Sequence, residues 1–468
     1  MFPNADSDMH PDAADSSARQ QVREAELEFA VKRKAPKTDG PIDMDTRLAT
    51  DEQTRMMLSV RRTSRGTVNR WDVDPDAQDQ IIGEHAWLND ESASHSRRDQ
   101  LSGGWTIYAP KRDERPNEFI PHSGLQSPVY RQGEIQLGCP FCAGSEGQTP
   151  EAVWTGRLGD LCAVPTDQGA DRFARPLVNA CFGEQPDWDV RVVPNKFPAV
   201  TSIEGAEVRS HEPSTDELFP SAPVVGGHEV IIESSGHAEN MASFDPALVY
   251  LTLVAYRERI KHWASVDGIR YISVFKNCGP EAGASLHHSH SQLIATSLLP
   301  QAARVTMARC EAHRARVGSS LGCDLLRAEC EQKSRVIAKK DSFVAYCPFA
   351  SRFPGMIRVT SMSHQPRFET FDDPTLDRLA SMLTRVIYWV DQAFPGKAYN
   401  YLLHTCPPAS SQPDAFQWWL DIFPRLNKAA GFEWSSDCMI NSMLPEVAAA
   451  NYRRIARRDD PRRVLAFG

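Results

Sequence analysis

Two periodicities divide the ordered part of this chain. Apolar residues recur every three or four positions from Pro246 to Trp263, at Leu248, Leu251, Val254, Ala255 and Ile260, and that spacing predicts an amphipathic helix. Strands are predicted at Gly103–Ala109, Val190–Val193, Glu229–Glu233 and Tyr271–Phe275. The stretch from Gly283 to Ala295 reads as a further strand. Its alternation puts His288, His290 and Gln292 on one face and Ser289, Ser291 and Leu293 on the other.

The same order of features returns later. Phe244-Asp-Pro-Ala-Leu, a helix, then Ile269 to Asn277 is echoed by Phe371-Asp-Asp-Pro-Thr-Leu, a helix through Val390, then Ala398 to His404. Upstream, Ile231 to His237 is echoed by Ile357 to His364. The repetition implies an internal duplication with a strand–helix–strand unit in each half. The last predicted strand, Phe416 to Phe423, carries Gln417 and Trp419, and no histidine follows His404. Only the first half can therefore hold the histidine strand, and the second half is left to close a pocket.

Composition bounds the rest. With 468 residues, 41% of them hydrophobic, the chain is long enough for a substantial core and an enclosed site. A net charge of −9 argues against nonspecific binding to nucleic acid. No apolar run is long enough to span a membrane, and the first residues lack a secretory leader, so the expected location is cytoplasmic, with no membrane partner. The eleven cysteines are scattered apart from Cys139 and Cys142, a pattern of reduced thiols rather than a disulfide framework. Residues 1–96 are rich in Asp, Arg, Ser and Gln and are expected to be a largely disordered charged extension, with a short helix at Glu24–Lys34 as the exception. Residues 97–300 then form the first half and 301–468 the second.

The candidate chemistry clusters in the first half. Asn277 to Ser285 is a glycine-containing loop whose backbone N–H groups can approach an anion and whose Ser285 adds a hydroxyl. A single strand histidine is ordinarily a packed residue, but His-x-His-x-Gln behind such a loop suits phosphate chemistry. His290 is the candidate nucleophile, because an imidazole that attacks phosphorus splits one hard displacement into two easier ones. Gln292, Ser285 and the loop amides would steady the charge that builds on the phosphate oxygens. An amide cannot act as a general acid, which suits weakly basic phosphate leaving groups and favours transfer over hydrolysis. Cys139-Pro-Phe-Cys142 has the spacing of a zinc knuckle. His237 and His288 are the choices for the remaining ligands, with His228 competing for one position. Such a Zn²⁺ would be structural, tying the knuckle to the strand that carries His290.

These residues resemble the galactose-1-phosphate uridylyltransferase family of the histidine-triad superfamily, from about Arg98 to Arg454. The matching pieces are Arg98 to Pro116, Cys139-Pro-Phe-Cys142, Val190 to Ala199, His228 to Glu233 with His237, and His288-Ser-His-Ser-Gln292. The resemblance implies an α+β fold of duplicated histidine-triad-like halves, each a mostly antiparallel sheet with packed helices. It implies Cys139, Cys142, His237 and His288 as the zinc set, His290 as the residue that takes the nucleotide, and Gln292 as its phosphate partner. Arg112, Arg115, Asn195, Asn277 and Ser285 are implied as contacts to nucleotide or phosphates, and a homodimer is the family expectation.

His-Ser-His-Ser-Gln departs from the usual His-Pro-His-Gly-Gln and resembles the branch that includes ADP-glucose phosphorylase. The expected function is transfer of a nucleoside monophosphate from a nucleoside diphosphate sugar to a hexose 1-phosphate. The alternatives are a phosphorylase that uses phosphate as acceptor on ADP-sugars or dinucleoside polyphosphates, and a regulator that binds nucleotide without catalysis.

Overall fold

The computed structural model describes residues 95–98, 105–108, 135–136, 138–160, 187–202 and 218–459. The helix expected at Glu24–Lys34, and Arg112 and Arg115, lie outside the described residues, as does the charged extension apart from its last two positions. Those two belong to β1 (His95–Arg98), which starts earlier than the Gly103 strand read from sequence. β1 pairs with β2 (Trp105–Tyr108) and β6 (Ser221–Pro223) in a small antiparallel sheet.

The main sheet has eleven strands. Residues before 300 supply β3 (Trp154–Gly156), β4 (Val190–Pro194), β7 (Val225–Ile232), β8 (Tyr271–Cys278) and β9 (His290–Thr296). Residues after 300 supply β10 (Val336–Lys340), β11 (Phe343–Tyr346), β12 (Ile357–Ser361), β13 (Tyr399–His404) and β14 (Trp419–Pro424). The order is β10-β11-β12-β14-β13-β8-β9-β7-β4-β3, antiparallel throughout, with the short β5 (Thr201–Ser202) added parallel to β7. Outward from the β13–β8 seam, each side places its fourth, fifth, third, second and first strand in that order.

A long helix joins β7 to β8 and another joins β12 to β13. α1 (Pro246–Ala264) starts where Asp245 accepts a hydrogen bond from the Ala247 N–H at 2.8 Å, and Pro246 sets the first turn. After Pro300, α2 (Gln301–Val317) and α3 (Leu321–Gln332) lead into the second half. α4 (Asp373–Ala393) is capped by Asp372, which accepts from the Thr375 N–H at 2.9 Å. Each cap is worth about 1 kcal/mol, and proline in the first turn loses no helical hydrogen bond. α1 and α4 pack against each other. That contact explains why α1 is buried on more than the single stripe its period predicts: Val249, Tyr250, Leu253 and Tyr256 are enclosed along with Leu248, Leu251 and Ile260.

Trp263, near the end of α1, lies so close to β7 that a Cβ on Gly227 would sit 1.9 Å from its ring. Glycine there lets the indole reach Glu229, to which it donates at 2.9 Å, and Arg259 adds two more bonds to the same carboxylate. No described helix is long and apolar enough to cross a membrane, and no described cysteine forms a disulfide.

Two strand readings change. β9 begins at His290, so His288 precedes the strand; Gly279 and Gly283, at φ 85° and 90°, turn the chain through a short helical turn at Pro280–Ala282 instead. The final strand begins at Trp419. Gln417 sits before it, held by the Gln365 N–H on its Oε1 at 2.8 Å while its amide donates to Ser361.

Candidate active site and metal centre

Two histidines of one short segment face two different environments. His288 belongs to a buried cluster with Cys139, Cys142 and His237, whose ligand atoms all lie within 4.8 Å of one another. Its Nδ1 is 3.4 Å from Cys139 Sγ and 3.6 Å from Cys142 Sγ, and His237 Nδ1 is 3.6 Å from Cys142 Sγ. A tetrahedral ion with metal–sulfur bonds of about 2.3 Å and metal–nitrogen bonds of about 2.0 Å would hold sulfur and nitrogen about 3.5 Å apart. The four side chains therefore fit one metal ion.

The surroundings agree. His288 Nε2 lies 3.0 Å from the Ser234 carbonyl, so that nitrogen carries the proton and Nδ1 keeps its lone pair for the ion. The Cys139 thiol is held well below the ordinary thiol range, first by a hydrogen bond from Cys142, against the opposing effect of burial, and then by His237 and His288. A thiolate is the form a cation binds.

His290, two residues on, is directed elsewhere. It and Gln292 line a cavity of about 520 Å³ together with Phe141, Gln148, Asn195, Lys196, Phe197, Ser285 and Leu286. His290 Nδ1 lies 2.7 Å from the His288 carbonyl, which takes the ring proton and leaves the Nε2 lone pair available. Burial pushes the pKa of His290 down to about 4, so the ring is neutral at physiological pH. Phe141, inside the knuckle, meets its ring edge-on at 5.3 Å. The residues of the Cys₂His₂ cluster and its turn thus place both the carbonyl and the aromatic ring that flank His290.

On the other face of β9 the environment is polar although fully enclosed. The Lys276 ammonium pairs with the Glu233 carboxylate, and their side chains are 1% and 0% exposed. Lys276 also donates to Ser289 Oγ at 2.8 Å and to the His290 carbonyl at 3.2 Å. Ser289 donates to Glu233 at 2.7 Å, and Tyr256 donates to Ser291 at 2.7 Å and contacts Tyr401 of the second half. Burial, followed by the Glu233 charge, raises the Tyr256 pKa well above its usual value, so the phenol remains a donor. The histidine segment is held from behind by a hydrogen-bonded network.

Of the residues singled out from sequence, Cys139, Cys142, His237 and His288 form the cluster, while Asn195, Ser285, His290 and Gln292 share the cavity. Asn277 does not line that cavity; Asn400 on β13 donates to its Oδ1 at 2.8 Å and to the Ala282 carbonyl at 2.9 Å, so Asn400 ties both Asn277 and the loop to β13. His228 is outside the metal cluster and contacts Gln292 instead. Sequence reading did not find Phe141, Lys196 or the Lys276–Glu233 pair. Phe141 and Lys196 adjoin motif residues, which is the one signal they carry, whereas Lys276 on β8 and Glu233 just past β7 follow no pattern of their own.

The antiparallel sheet thus presents an imidazole to a cavity two residues from a buried Cys₂His₂ cluster. Comparison with known proteins gives the family. A family profile described as a domain of unknown function (DUF4921) matches residues 201–461. The chain is 31% identical over 365 residues to ADP-glucose phosphorylase from Arabidopsis thaliana, covering 77% of this chain and 92% of that protein. It is 24% identical over 234 residues to galactose-1-phosphate uridylyltransferase from Thermotoga maritima, 48% and 73% of the two chains. Among solved structures, the Arabidopsis thaliana ADP-glucose phosphorylase with bound ADP-glucose superposes with a TM-score of 0.55 at 28% identity, covering 76% of this chain and 98% of that one. A uridylyltransferase shares the fold, with a TM-score of 0.58 at 21% identity over 78% and 99%. The chain belongs to the nucleotidyltransferase-type enzyme family of the ADP-glucose phosphorylases and galactose-1-phosphate uridylyltransferases.

Proposed function

We propose that this enzyme moves a nucleoside monophosphate from a nucleoside diphosphate sugar to a phosphate acceptor through a covalent intermediate on His290, with ADP-glucose and inorganic phosphate as the favoured pair. The observation that carries the reading is the His290 ring, neutral, with its Nδ1 proton engaged by the His288 carbonyl and its other nitrogen left for the cavity. In the first step Nε2 bonds to the α-phosphorus and the bond from phosphorus to the bridging oxygen breaks, releasing glucose 1-phosphate with the electron pair. In the second, a phosphate oxygen attacks the same phosphorus, the nitrogen–phosphorus bond breaks, and ADP leaves. Both leaving groups are weak bases. The amide of Gln292 therefore suffices as a donor to the developing charge, and no general acid is needed.

Asn195, Ser285 and the loop amides would hold the nucleotide and its phosphates, with Arg112 and Arg115 as further cationic contacts to the phosphates. The Cys₂His₂ donor set suits Zn²⁺, whose role here is to lock the knuckle and His288 in place. Residues 97–300 would act as the catalytic half and 301–468 as the half that closes the site. The length of the match to the ADP-glucose phosphorylase and the His-Ser-His-Ser-Gln sequence support adenosine as the base and phosphate as the acceptor.

Intact-mass measurement after incubation with ADP-glucose or UDP-glucose tests this. The expected result is an AMP adduct that is absent from His290→Ala and is discharged by phosphate. A UMP adduct discharged by galactose 1-phosphate would assign the uridylyltransferase reaction instead. Ligand binding with no adduct on the wild-type chain would refute catalysis and leave a binding regulator.

A further inference from the structure

We propose that His228 is a positioning residue that decides which end of the Gln292 amide faces the reacting phosphate; the proposal rests on the His290 mechanism above. His228 lies on β7, diagonal to Gln292 on β9, since the register pairs Val230 with Gln292 and His228 with Ile294. It is 4% exposed and bonded at both ring nitrogens. The backbone N–H of Ala199 donates to Nδ1 at 3.1 Å. A backbone donor cannot be reversed, so Nδ1 is the acceptor, and the ring is neutral with its proton on Nε2.

Two groups lie within reach of that proton: Gln292 Oε1 at 2.8 Å and Asn195 Nδ2 at 3.1 Å. Only the oxygen can accept it. The Asn195 amide is itself fixed, because its Oδ1 accepts from the Phe197 N–H at 2.8 Å. With Oε1 of Gln292 engaged by His228, its NH₂ is the end left for the cavity. That is the end required, since an amide rotated by half a turn would present its oxygen to phosphate oxygens and repel them. The orientation thus passes from the backbone at Ala199 through one imidazole to the phosphate donor. A ring present only for packing would have no such directional chain.

The test is a double-mutant cycle on the rate of adduct formation from ADP-glucose. His228→Phe should slow that rate by about 10- to 100-fold, the scale of losing one oriented donor. His228→Gln, which restores an N–H toward Gln292, should recover most of it. In a Gln292→Ala background, His228→Phe should add less than about threefold, because the group it acts through is gone. Metal content and thermal unfolding report whether each variant is folded. If the Phe variant fails to fold, His228→Asn keeps an acceptor toward Ala199 but cannot reach Gln292, and should be as slow.

Equal slowing with and without Gln292, or a Gln variant no faster than Phe, overturns the proposal. The imidazole ¹⁵N shifts of His228 give a readout independent of turnover. A bare Nδ1 with a protonated Nε2 is expected, and the opposite tautomer overturns the inference whatever reaction the enzyme performs. A wild-type chain that forms no adduct would instead count against the function itself.

Discussion

Replacing Lys276 by Met would strand a carboxylate. Glu233 is fully buried, paired with Lys276 and accepting a hydrogen bond from Ser289. Met fills much the same volume as the lysine stem, so the loss is electrostatic and not a cavity. Removing one partner of a buried pair costs about 3–5 kcal/mol, which lowers the folding equilibrium constant roughly a hundred- to several-thousand-fold. Glu233→Gln alone should also destabilise, because it leaves the ammonium unpaired. The double variant Lys276→Met with Glu233→Gln should lose less than the two single costs together, since a neutral amide can still accept from Ser289. The assay is the urea midpoint at constant slope for the four proteins. A single Lys276→Met cost below about 1 kcal/mol, or strict additivity in the double variant, would refute the reasoning. Because Lys276 also donates to the His290 carbonyl, the variant should slow adduct formation as well.

Cys142→Ser should lower the bound metal and the thermal midpoint together, read by elemental analysis and calorimetry; full metal retention would rule out the four-residue site. Lys196 supplies the lysine charge among the described residues that line the cavity, so Lys196→Met should raise KM for the donor about tenfold, the worth of one charge-assisted contact, with little change in stability. His404 on β13 faces Asp421 and Arg358, and burial pushes its pKa down to about 4. The unfolded chain therefore takes up that proton first, and stability should fall as pH drops from about 6.5 toward 4. The ring keeps 30% of its exposure, so the loss is a fraction of the full value; His404→Asn should flatten that part of the stability–pH curve. An unchanged curve would show that His404 does not cause it.

Much of the architecture follows from local pattern. The Asp-Pro starts of α1 and α4, their apolar periods and the alternation of β8 are properties of short segments, and short segments are what a sequence displays directly. The site was legible as far as its donors are chemically distinctive: two thiols one turn apart, and imidazoles at alternate positions. His288 illustrates the limit. It was placed in the strand from its alternation with His290, but Gly279 and Gly283 bend the chain before β9 begins, so its ring joins the thiols while His290 turns to the cavity.

The sequence by itself determined most of the elements, the Cys139–Cys142 spacing and the family, because each is written in residues close together or in side chains with few alternative uses. Tertiary structure alone decided that Asn277 pairs with Asn400 and that His228 addresses Gln292 rather than the Cys₂His₂ cluster. It also brought Glu233, Lys276 and Tyr256 together behind the histidines. Those assignments depend on which strands lie side by side and in what register. Hydrogen-bond partners separated by tens of residues are fixed by that pairing and by no local period.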